Sequence, residues 1–490
     1  MQSVDWLAVG PVLGPAVAAL LVLVLDAVLG STSVLARRLL DGAALAGLVT
    51  GLVLLLPLQG EVRETFCAAP SRCSYVVSSL TLTLQLVVLG AAAVCLLLAM
   101  GVRERTARTE SHVLLLAATA GACTLAAARD YATLAVALET ASLPVVALVA
   151  LRRDSRGAEA ALKLLLASVV SFALLALGVA LVYASTGSLH LGAPVSGELG
   201  DLRAVHGVGL ALLVAGAAFK LSLVPFHLWT PDTYAGAPLP VAAFLSTVSK
   251  VAGLTAVVLV LAVGAPERAL DWAPLVGALG ALTMTVGNLV ALRQQTAVRL
   301  LAWSTIAQAG WVLLPLTGAV SEGKLTAVVA ASLGYLLAYV VASLAVFGVV
   351  VRVAERHPDG ARHGLDAYAG LWRRRPALSL VLGFGLLCLA GLPPGVMGVV
   401  AKVVALVPVV GVRAWGLVAV AVVNVVIGVA VYLRWAARLV ATSDITPDAP
   451  DGALTPVAHR LALAVGAAGC VVLSVLPSLV AGLLDRMPLR

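Results

Sequence analysis

Long apolar runs, separated by short polar or proline- and glycine-containing stretches, follow one another along the whole chain. A run of about 20 apolar residues is long enough to cross the ~30 Å hydrocarbon core of a membrane as an α-helix. Such runs predict about fourteen transmembrane helices, which begin near residues 5, 41, 76, 111, 131, 160, 206, 238, 272, 297, 325, 377, 414 and 459. The pattern therefore predicts an all-α polytopic membrane protein.

The seventh and the twelfth of these runs each contain a lysine and a nearby proline. Lys220 lies five residues before Pro225, and Lys402 lies eight residues after Pro394. Proline removes a helical hydrogen bond and clashes with the preceding turn, so we expect both helices to be broken near mid-membrane. Interrupted helices five segments apart are typical of a transporter with two repeated halves, here helices four to eight and nine to thirteen.

These repeats divide the chain into four parts: residues 1–110 with helices one to three, residues 111–262 with the first repeat, residues 263–440 with the second repeat, and residues 441–490 with helix fourteen. Most arginines fall in the polar stretches on one side of this arrangement, and the positive-inside rule makes that side cytoplasmic. Both chain ends are then predicted to face outward, as is the loop between helices two and three.

The composition excludes a soluble protein. Of the 490 residues, 61% are hydrophobic and 11% are charged, and the mean hydropathy is +1.07, whereas soluble domains are roughly half apolar. The net charge of +8 does not indicate a nucleic-acid partner, because the chain has no basic tail and arginines beside membrane segments usually set topology. We expect a lipid membrane as the surroundings and no nucleic acid.

The cysteines indicate little chemistry. Four of the six lie singly in apolar runs, where a free cysteine behaves as a small hydrophobe. Cys67 and Cys73, in the loop FCAAPSRC, could pair, because that loop is predicted to lie on the oxidising outer face. The sequence contains no CxxC set, metal-ligand cluster or dinucleotide-binding motif, so we expect no redox centre, metal or cofactor in this chain.

Four of the five lysines lie inside apolar runs, namely Lys163, Lys220, Lys250 and Lys402. A buried lysine can lose its proton under desolvation or beside another charge, whereas arginine stays charged in almost any setting. A row of such titratable bases within a membrane indicates a proton path. For Lys163, near the cytoplasmic end of helix six, a side chain that reaches the membrane interface is an equally good interpretation.

Glu139 lies in the middle of the fifth apolar run. A carboxylate at that depth costs roughly 2.5 to 3.5 kcal/mol on insertion scales, so we expect it to have an interior lysine as its partner. The alternative is a structural ion pair that only fixes the packing of the helices.

The stretch FKLSLVPFHLWTPDTYAGAPLPVAAFLSTVSKVAG at 219–253 resembles subunit N of bacterial respiratory complex I, the proton-pumping NADH:quinone oxidoreductase. The resemblance extends to ETASLPVVALVAL at 139–151, EAALKLLLASVVSFALLALG at 159–178, GNLVALRQQTAVRLLAWSTIAQAG at 287–310 and LAGLPPGVMGVVAK at 389–402. It therefore covers most of the chain, from helix four to helix thirteen.

The resemblance implies an antiporter-like subunit with two inverted five-helix repeats, each holding a half-channel, joined by a polar axis across mid-membrane. The proton-relay residues that it implies are Glu139 in helix five, Lys163 in helix six, Lys220 in helix seven, Lys250 in helix eight and Lys402 in helix twelve. The implied function is proton translocation coupled to quinone reduction, in a multi-pass subunit of the bacterial inner membrane.

The same resemblance implies that NADH, FMN, iron–sulfur clusters and quinone are held by partner subunits and not by this chain. The implied partners are the other complex I membrane subunits, both the sister antiporter-like subunits and the small ones. Two alternatives stay open: a subunit of a cation/proton antiporter or membrane-bound hydrogenase, and a structural spacer that does not pump.

The chain departs from the family pattern at three places. Gln308 stands where related sequences often have histidine, and Val298 stands where lysine often precedes the arginine. The segment around Gly398 lacks the usual aromatic residue and holds one extra residue after the prolines. These departures affect the link through helix ten and the register of Lys402, and water is expected to replace a missing side chain in the relay.

Overall fold

The computed structural model describes residues 4–30, 33–69, 72–102, 107–195, 200–355, 364–441 and 456–478. Within these ranges 13 helical segments are long and apolar enough to span a membrane, and two shorter apolar helices lie at 376–390 and 396–411. The helical polytopic class is thus confirmed, while the total of fourteen crossings stays a prediction. The predicted placement of the two chain ends concerns residues outside the described ranges.

Three helices and a β-hairpin form the N-terminal part: α1 (Trp6–Leu29), α2 (Val34–Val53), β1 (Arg63–Ala69), β2 (Arg72–Val77) and α3 (Ser79–Gly101). The two strands pair antiparallel and place Cys67 opposite Cys73. A disulfide joins these two cysteines, so the possible pairing is confirmed. The hairpin itself was not predicted. Because of it, only the membrane-spanning part of the fold is all-α.

The next part contains eight helices: α4 (Arg108–Ala127), α5 (Tyr131–Thr140), α6 (Leu143–Ala150), α7 (Ser155–Thr186), α8 (Gly200–Leu221), α9 (Trp229–Gly236), α10 (Leu239–Ser246) and α11 (Val248–Val258). A π-helical turn at Leu259–Val263 extends α11. The interruption predicted in helix seven is present between α8 and α9. Helices five and eight are also interrupted, between α5 and α6 and between α10 and α11, which the sequence analysis missed.

The remaining described helices are α12 (Ala269–Ala291), α13 (Ala297–Leu313), α14 (Leu325–Ala354), α15 (Leu371–Arg374), α16 (Pro376–Ala390), α17 (Val396–Gly411), α18 (Trp415–Val440) and α19 (Val457–Val475). The interruption predicted in helix twelve lies between α16 and α17. There Gly391 ends α16 with φ +72°, a backbone conformation that favours glycine.

Helices α2 and α7 begin earlier than hydropathy predicted, because polar residues cap them. Ser33 accepts a hydrogen bond from the Ala36 amide at 3.0 Å, so α2 starts at Val34 and not near residue 41. Asp154 accepts one from the Gly157 amide at 2.6 Å, so α7 starts at Ser155 and not near residue 160. Arg37, Arg38 and Arg156 therefore lie at the starts of these helices, in stretches that hydropathy predicts as loops.

Four helices that carry Lys250 and many other buried polar groups lie at the centre of the bundle. The segment formed by α10 and α11 is buried along its whole apolar window, and α13 and α14 are buried along most of theirs. Helices α1, α7, α18 and α19 instead expose large apolar side chains, as a surface against lipid or other membrane subunits does. Polar side chains on the central helices are therefore shielded from lipid.

Freed backbone groups at the helix-seven break find partners within the protein. The Val224 amide donates to Thr283 Oγ1 of α12 at 3.1 Å, and the Trp229 indole donates to the Phe219 carbonyl at 3.0 Å. Unsatisfied backbone groups at this depth would each cost several kcal/mol. These contacts hold the break in place and connect it with the neighbouring helices.

Candidate functional site

Lys220 lies at the end of α8, directly before the break in helix seven, and only 6% of its surface is exposed. Its ammonium Nζ donates a hydrogen bond to Ser142 Oγ at 2.8 Å. The Ser142 hydroxyl in turn donates to the Leu138 carbonyl at 2.6 Å. The buried lysine is thus held by a hydroxyl from helix five.

The break in helix five brings Ser142 to that position. Pro144 has no backbone N–H and clashes with the carbonyl one turn earlier, so α5 ends at Thr140 and α6 begins at Leu143. Ser142 lies between the two helices, where its hydroxyl faces Lys220. Nothing in the sequence predicts a role for Ser142, although Pro144 is a signal for the break.

Glu139 lies half-buried in the last turn of α5, three residues before Ser142. It interacts electrostatically with Lys220. Lys220 is thus the interior lysine that acts as its electrostatic partner, although no ion pair within 4.0 Å joins the two side chains among the described residues. The carboxylate acts on the lysine from a distance, while Ser142 is the direct partner of the ammonium.

Lys250, in the first turn of α11, is 1% exposed and lies next to the same break. Its Nζ donates to Ser222 Oγ at 2.5 Å and to the backbone carbonyl of Lys220 at 3.3 Å. It also lies 4.8 Å from the centre of the Trp229 ring, a cation–π contact. Lys220 and Lys250, which we call the lysine pair, are therefore connected through the broken segment of helix seven.

A small cavity lies beside Lys220. Its volume is about 10 Å³, and its polar lining comes from Ser142, Ser168 and Lys220. A space of this size with several polar neighbours accommodates about one water molecule. The cavity therefore offers a place where a proton could be exchanged with Lys220.

Lys402 lies in α17, and 7% of its surface is exposed. Its Nζ donates to the carbonyl of Ala390, the last residue of α16, and lies 5.7 Å from the centre of the Trp311 ring. A Cβ atom on Gly391 would lie only 2.8 Å from Lys402 Cδ. The break in helix twelve thus supplies both the acceptor and the space for this lysine.

A cluster of hydroxyls and one amide lies where α13 packs against α14, in contact with α10 and α18. Ser246, Thr305 and Tyr339 form a triangle of hydrogen bonds between 2.7 and 3.2 Å. One turn away on α14, Tyr335 donates to Gln308 Oε1 at 2.5 Å, and Gln308 Nε2 donates to the Tyr432 hydroxyl at 2.8 Å. We call Tyr335, Tyr339, Tyr432 and Gln308 the tyrosine cluster.

In the sequence Gln308 stands out only as a departure from the family pattern, and the three tyrosines were not predicted as functional residues. Each tyrosine lies in a long apolar run, where an aromatic residue is most simply interpreted as core. Their hydroxyls meet only because α14 packs against α13 and Tyr432 of α18 reaches Ser304 and Gln308 of α13. No spacing within one helix could have shown this arrangement.

Lys163 lies apart from the buried lysines, on α7, with 44% of its side chain exposed. It forms ion pairs with Glu159 at 2.6 Å and with Asp232 of α9 at 2.9 Å. Asp232 is also paired with Arg299 of α13 at 3.2 Å. This rim cluster, as we call these four residues, agrees with the interpretation that Lys163 reaches the membrane interface.

One group of metal-ligating side chains lies close together in the described part of the chain, formed by Glu64, Cys67 and Cys73. Both sulfurs belong to the disulfide, so neither is a free thiolate for a metal. The hairpin is therefore better described as a covalently closed surface element than as a metal site.

A sequence profile of the family described as NADH:quinone oxidoreductase/Mrp antiporter matches residues 128–428. Among curated proteins, NADH-quinone oxidoreductase subunit N 2 of Streptomyces griseus subsp. griseus is 45% identical over 472 residues, which covers 94% of this chain and 87% of the relative. NADH-quinone oxidoreductase subunit 14 of Thermus thermophilus is 39% identical, with 77% of this chain and 82% of the relative covered.

Solved structures show the same similarity. A chain of respiratory complex I from Thermus thermophilus with bound aureothin matches with a TM-score of 0.79 and 33% identity, over 98% of this chain and all of that one. A chain of the Mrp complex from Dietzia matches with a TM-score of 0.83 but only 21% identity, over 98% and 96% of the two chains. The second match concerns the fold alone.

Proposed function

This chain belongs to the NADH:quinone oxidoreductase/Mrp antiporter family of membrane proteins, and we propose that it is the proton-translocating subunit N of an NADH:quinone oxidoreductase. The observation that carries the proposal is the lysine pair, two buried bases hydrogen-bonded around one broken helix. The Streptomyces griseus relative named subunit N 2 matches over 87% of its length, which supports this subunit over other members of the family.

In the proposed mechanism, Lys220 takes up a proton under the influence of Glu139, and Ser142 fixes the direction of its ammonium group. The proton then moves to Lys250 through the broken segment. Two ammonium groups in a low-dielectric interior repel each other, so a proton that arrives on one lysine favours release from the other. Lys402, at the second break, serves the outward half-channel.

Lys163 has a separate place in this proposal. As a member of the rim cluster it is half-exposed and faces Asp232 on α9. The same short helix carries Trp229 under the Lys250 ammonium and Thr230, whose hydroxyl is 2.6 Å from that of Ser222. Helix α9 thus connects the rim cluster with the lysine pair, and we assign Lys163 to the relay at its surface end.

The proposal includes the organisation and orientation derived from the sequence. Residues 111–262 and 263–440 form the two inverted repeats, preceded by residues 1–110 and followed by residues 441–490. The arginine-rich side faces the cytoplasm of a bacterial cell, and both chain ends face outward. NADH, FMN, the iron–sulfur clusters and quinone are held by partner subunits, and the other membrane subunits of the complex are the direct partners.

A cation/proton antiporter subunit is the second candidate, because the Mrp complex shares the fold. A purely structural spacer is less well supported, since all the interior lysines and Glu139 are present and three of the lysines are buried. The two candidates differ from the proposed function in what drives proton movement. In an antiporter subunit a sodium gradient drives it, and in a structural spacer no proton moves through the chain.

The experiment that tests the proposal measures NADH-driven proton uptake in membrane vesicles that contain the assembled complex. Lys220→Met should lower the proton uptake per assembled complex severalfold, while Lys324→Met should leave it unchanged because Lys324 is an exposed lysine between helices. Uptake by the Lys220→Met variant at the wild-type rate would contradict the proposal. Uptake that follows a sodium gradient without NADH would favour the antiporter.

A further inference from the structure

The tyrosine cluster lies between the lysine pair and Lys402. Helix α14, which carries Tyr335 and Tyr339, packs against α10 on one side and against α17 on the other. The α10 residue Ser246 belongs to the lysine-pair side, four residues before Lys250, and bonds to the Tyr339 hydroxyl at 2.7 Å. A proton that crosses from one lysine site to the other therefore meets this cluster.

The orientation of the Gln308 amide is determined by its surroundings. Its nitrogen Nε2 lies 3.4 Å from the carbonyl of Leu389, which can only accept a hydrogen bond. The opposite assignment of the amide would place two acceptors against each other. Because Oε1 must then accept, Tyr335 is the donor of the 2.5 Å bond to Gln308.

This orientation assigns a role to each neighbouring hydroxyl. Tyr335 gives its hydrogen to Gln308 and keeps its oxygen lone pairs free to receive a proton. Tyr432 receives a hydrogen from Gln308 and keeps its own hydrogen to give, and its oxygen lies 2.6 Å from Ser304 Oγ in a bond where either hydroxyl can donate. One hydroxyl is thus prepared to accept and the other to release.

Gln308 itself is not a suitable proton carrier. An amide has two donor hydrogens and a carbonyl oxygen, and it has no titration near neutrality, unlike an imidazole. A tyrosine hydroxyl both donates and accepts, so it can take a proton on its oxygen while its own hydrogen leaves. In this cluster the tyrosines are therefore the groups that can transfer a proton, and the glutamine is the group that orients their hydrogen bonds.

We propose that Tyr335 and Tyr432 carry the proton between the lysine pair and Lys402, and that Gln308 is the positioning residue that sets the direction of their hydrogen bonds. This inference rests on the proposed function. The Tyr339 hydroxyl, one turn from Tyr335 and bonded to Ser246, is the group that delivers the proton to Tyr335.

The protons in this transfer balance, and no reactant other than water is needed. A proton reaches the Tyr335 oxygen, and a hydrogen passes from there to the Tyr432 oxygen, directly or through one water molecule. Tyr432 then releases its own hydrogen through a water molecule to Nζ of neutral Lys402, which lies beside the Ala390 carbonyl, next to the Leu389 carbonyl that Gln308 contacts. Each hydroxyl ends with one hydrogen, and Gln308 keeps both amide hydrogens.

The test compares proton uptake in vesicles with the assembled complex for Tyr335→Phe, Tyr432→Phe and the control Tyr368→Phe. Tyr368 is also fully buried, but its hydroxyl has no hydrogen-bond partner among the described residues. We expect a severalfold loss of uptake for the first two variants and none for the control. A loss in all three, or in none, contradicts the proposal.

A second comparison separates proton transfer from packing. Gln308→His places a titratable ring at the centre of the cluster, so the double variant of Gln308→His with Tyr335→Phe should recover most of the uptake that Tyr335→Phe loses. An equal loss with and without Gln308→His would show that the tyrosine is needed only for structure.

The lysine variant distinguishes this inference from the function on which it rests. If Lys220→Met stops uptake while both tyrosine variants retain it, the proposed function stands and the tyrosine route is wrong. If Lys220→Met itself retains uptake, the proposed function fails.

Discussion

The Lys250 ammonium donates a hydrogen bond to the backbone carbonyl of Lys220, 3.3 Å away. This contact exists because α8 ends at Leu221 and leaves its last carbonyls without helical partners. The same interruption places Ser222, with φ +64°, where its hydroxyl lies 2.5 Å from Lys250 Nζ. The same broken helix therefore carries one buried base, Lys220, and supplies hydrogen-bond acceptors to the other, Lys250.

The first prediction concerns the proton on Lys220. Lys220→Arg keeps a positive charge at this position but does not release its proton, because arginine stays protonated in almost any protein setting. We expect this variant to lose proton uptake nearly as completely as Lys220→Met, with normal assembly. The measurement is NADH-driven uptake per assembled complex in vesicles.

Lys324→Arg is the matched control for that experiment. Lys324 is an exposed lysine directly before α14 and outside the relay, so a permanent positive charge there does not affect the proton path. We expect it to retain most of the wild-type uptake. If Lys220→Arg pumps like the wild type, Lys220 is a structural counter-ion and not a proton carrier.

The second prediction concerns Ser142. Ser142→Ala removes the hydroxyl that accepts from Lys220 Nζ, and a buried charge that loses its partner costs about 1–3 kcal/mol or more. The neutral form of Lys220 then becomes favoured, so proton uptake should fall at high pH first. Ser142→Thr keeps the hydroxyl and serves as the control, and equal pH profiles for the two variants would contradict a role for this contact.

The sequence located the lysines and two of the broken helices because both have local signals. A lysine in an apolar run is visible by itself, and a proline inside such a run indicates a break. The break after Ser246 has no proline; Thr247 bonds back to the Ala243 carbonyl at 2.7 Å, a pattern that threonines in unbroken helices also show. That break could not be predicted.

The partners of the lysines were less predictable than the lysines themselves. Glu139 was expected as the partner of an interior lysine because of its charge, and it does act electrostatically on Lys220. The group in contact with Lys220, however, is Ser142, only three residues further along the chain. Which of the two meets Lys220 depends on how the break turns the chain and on how α6 packs against α7. Both depend on distances between helices, which a hydropathy pattern does not predict.

The third prediction concerns the hairpin that carries Cys67 and Cys73. We expect a membrane-impermeant maleimide to leave both cysteines unlabelled in intact cells and to label them after an impermeant reductant is added. Labelling without reductant would contradict the disulfide. Failure to label even after reduction, with labelling once the membrane is opened, would instead invert the proposed orientation.

The fourth prediction concerns Gly121 in α4, which packs against the break in helix five. A Cβ atom at this position would lie 2.5 Å from the Ala141 amide nitrogen and 2.6 Å from the Thr140 carbonyl carbon, both backbone atoms that cannot rotate away. Gly121→Ala should therefore push the broken segment aside and lower the stability of the bundle by about 1–3 kcal/mol, the usual cost of overpacking. The displaced segment carries Ser142, so uptake should fall as well.

Gly90→Ala in α3 is the control, because nothing lies within 4 Å of the Cβ that it adds. Alanine is a better helix former than glycine by about 1 kcal/mol, so this change should leave the thermal midpoint of the solubilised complex unchanged or raise it. Gly121→Ala should lower that midpoint and slow proton uptake together, since one displacement causes both effects. A lower midpoint with wild-type uptake would mean that the position of the helix-five break, and hence the Ser142 contact, does not control the protonation of Lys220.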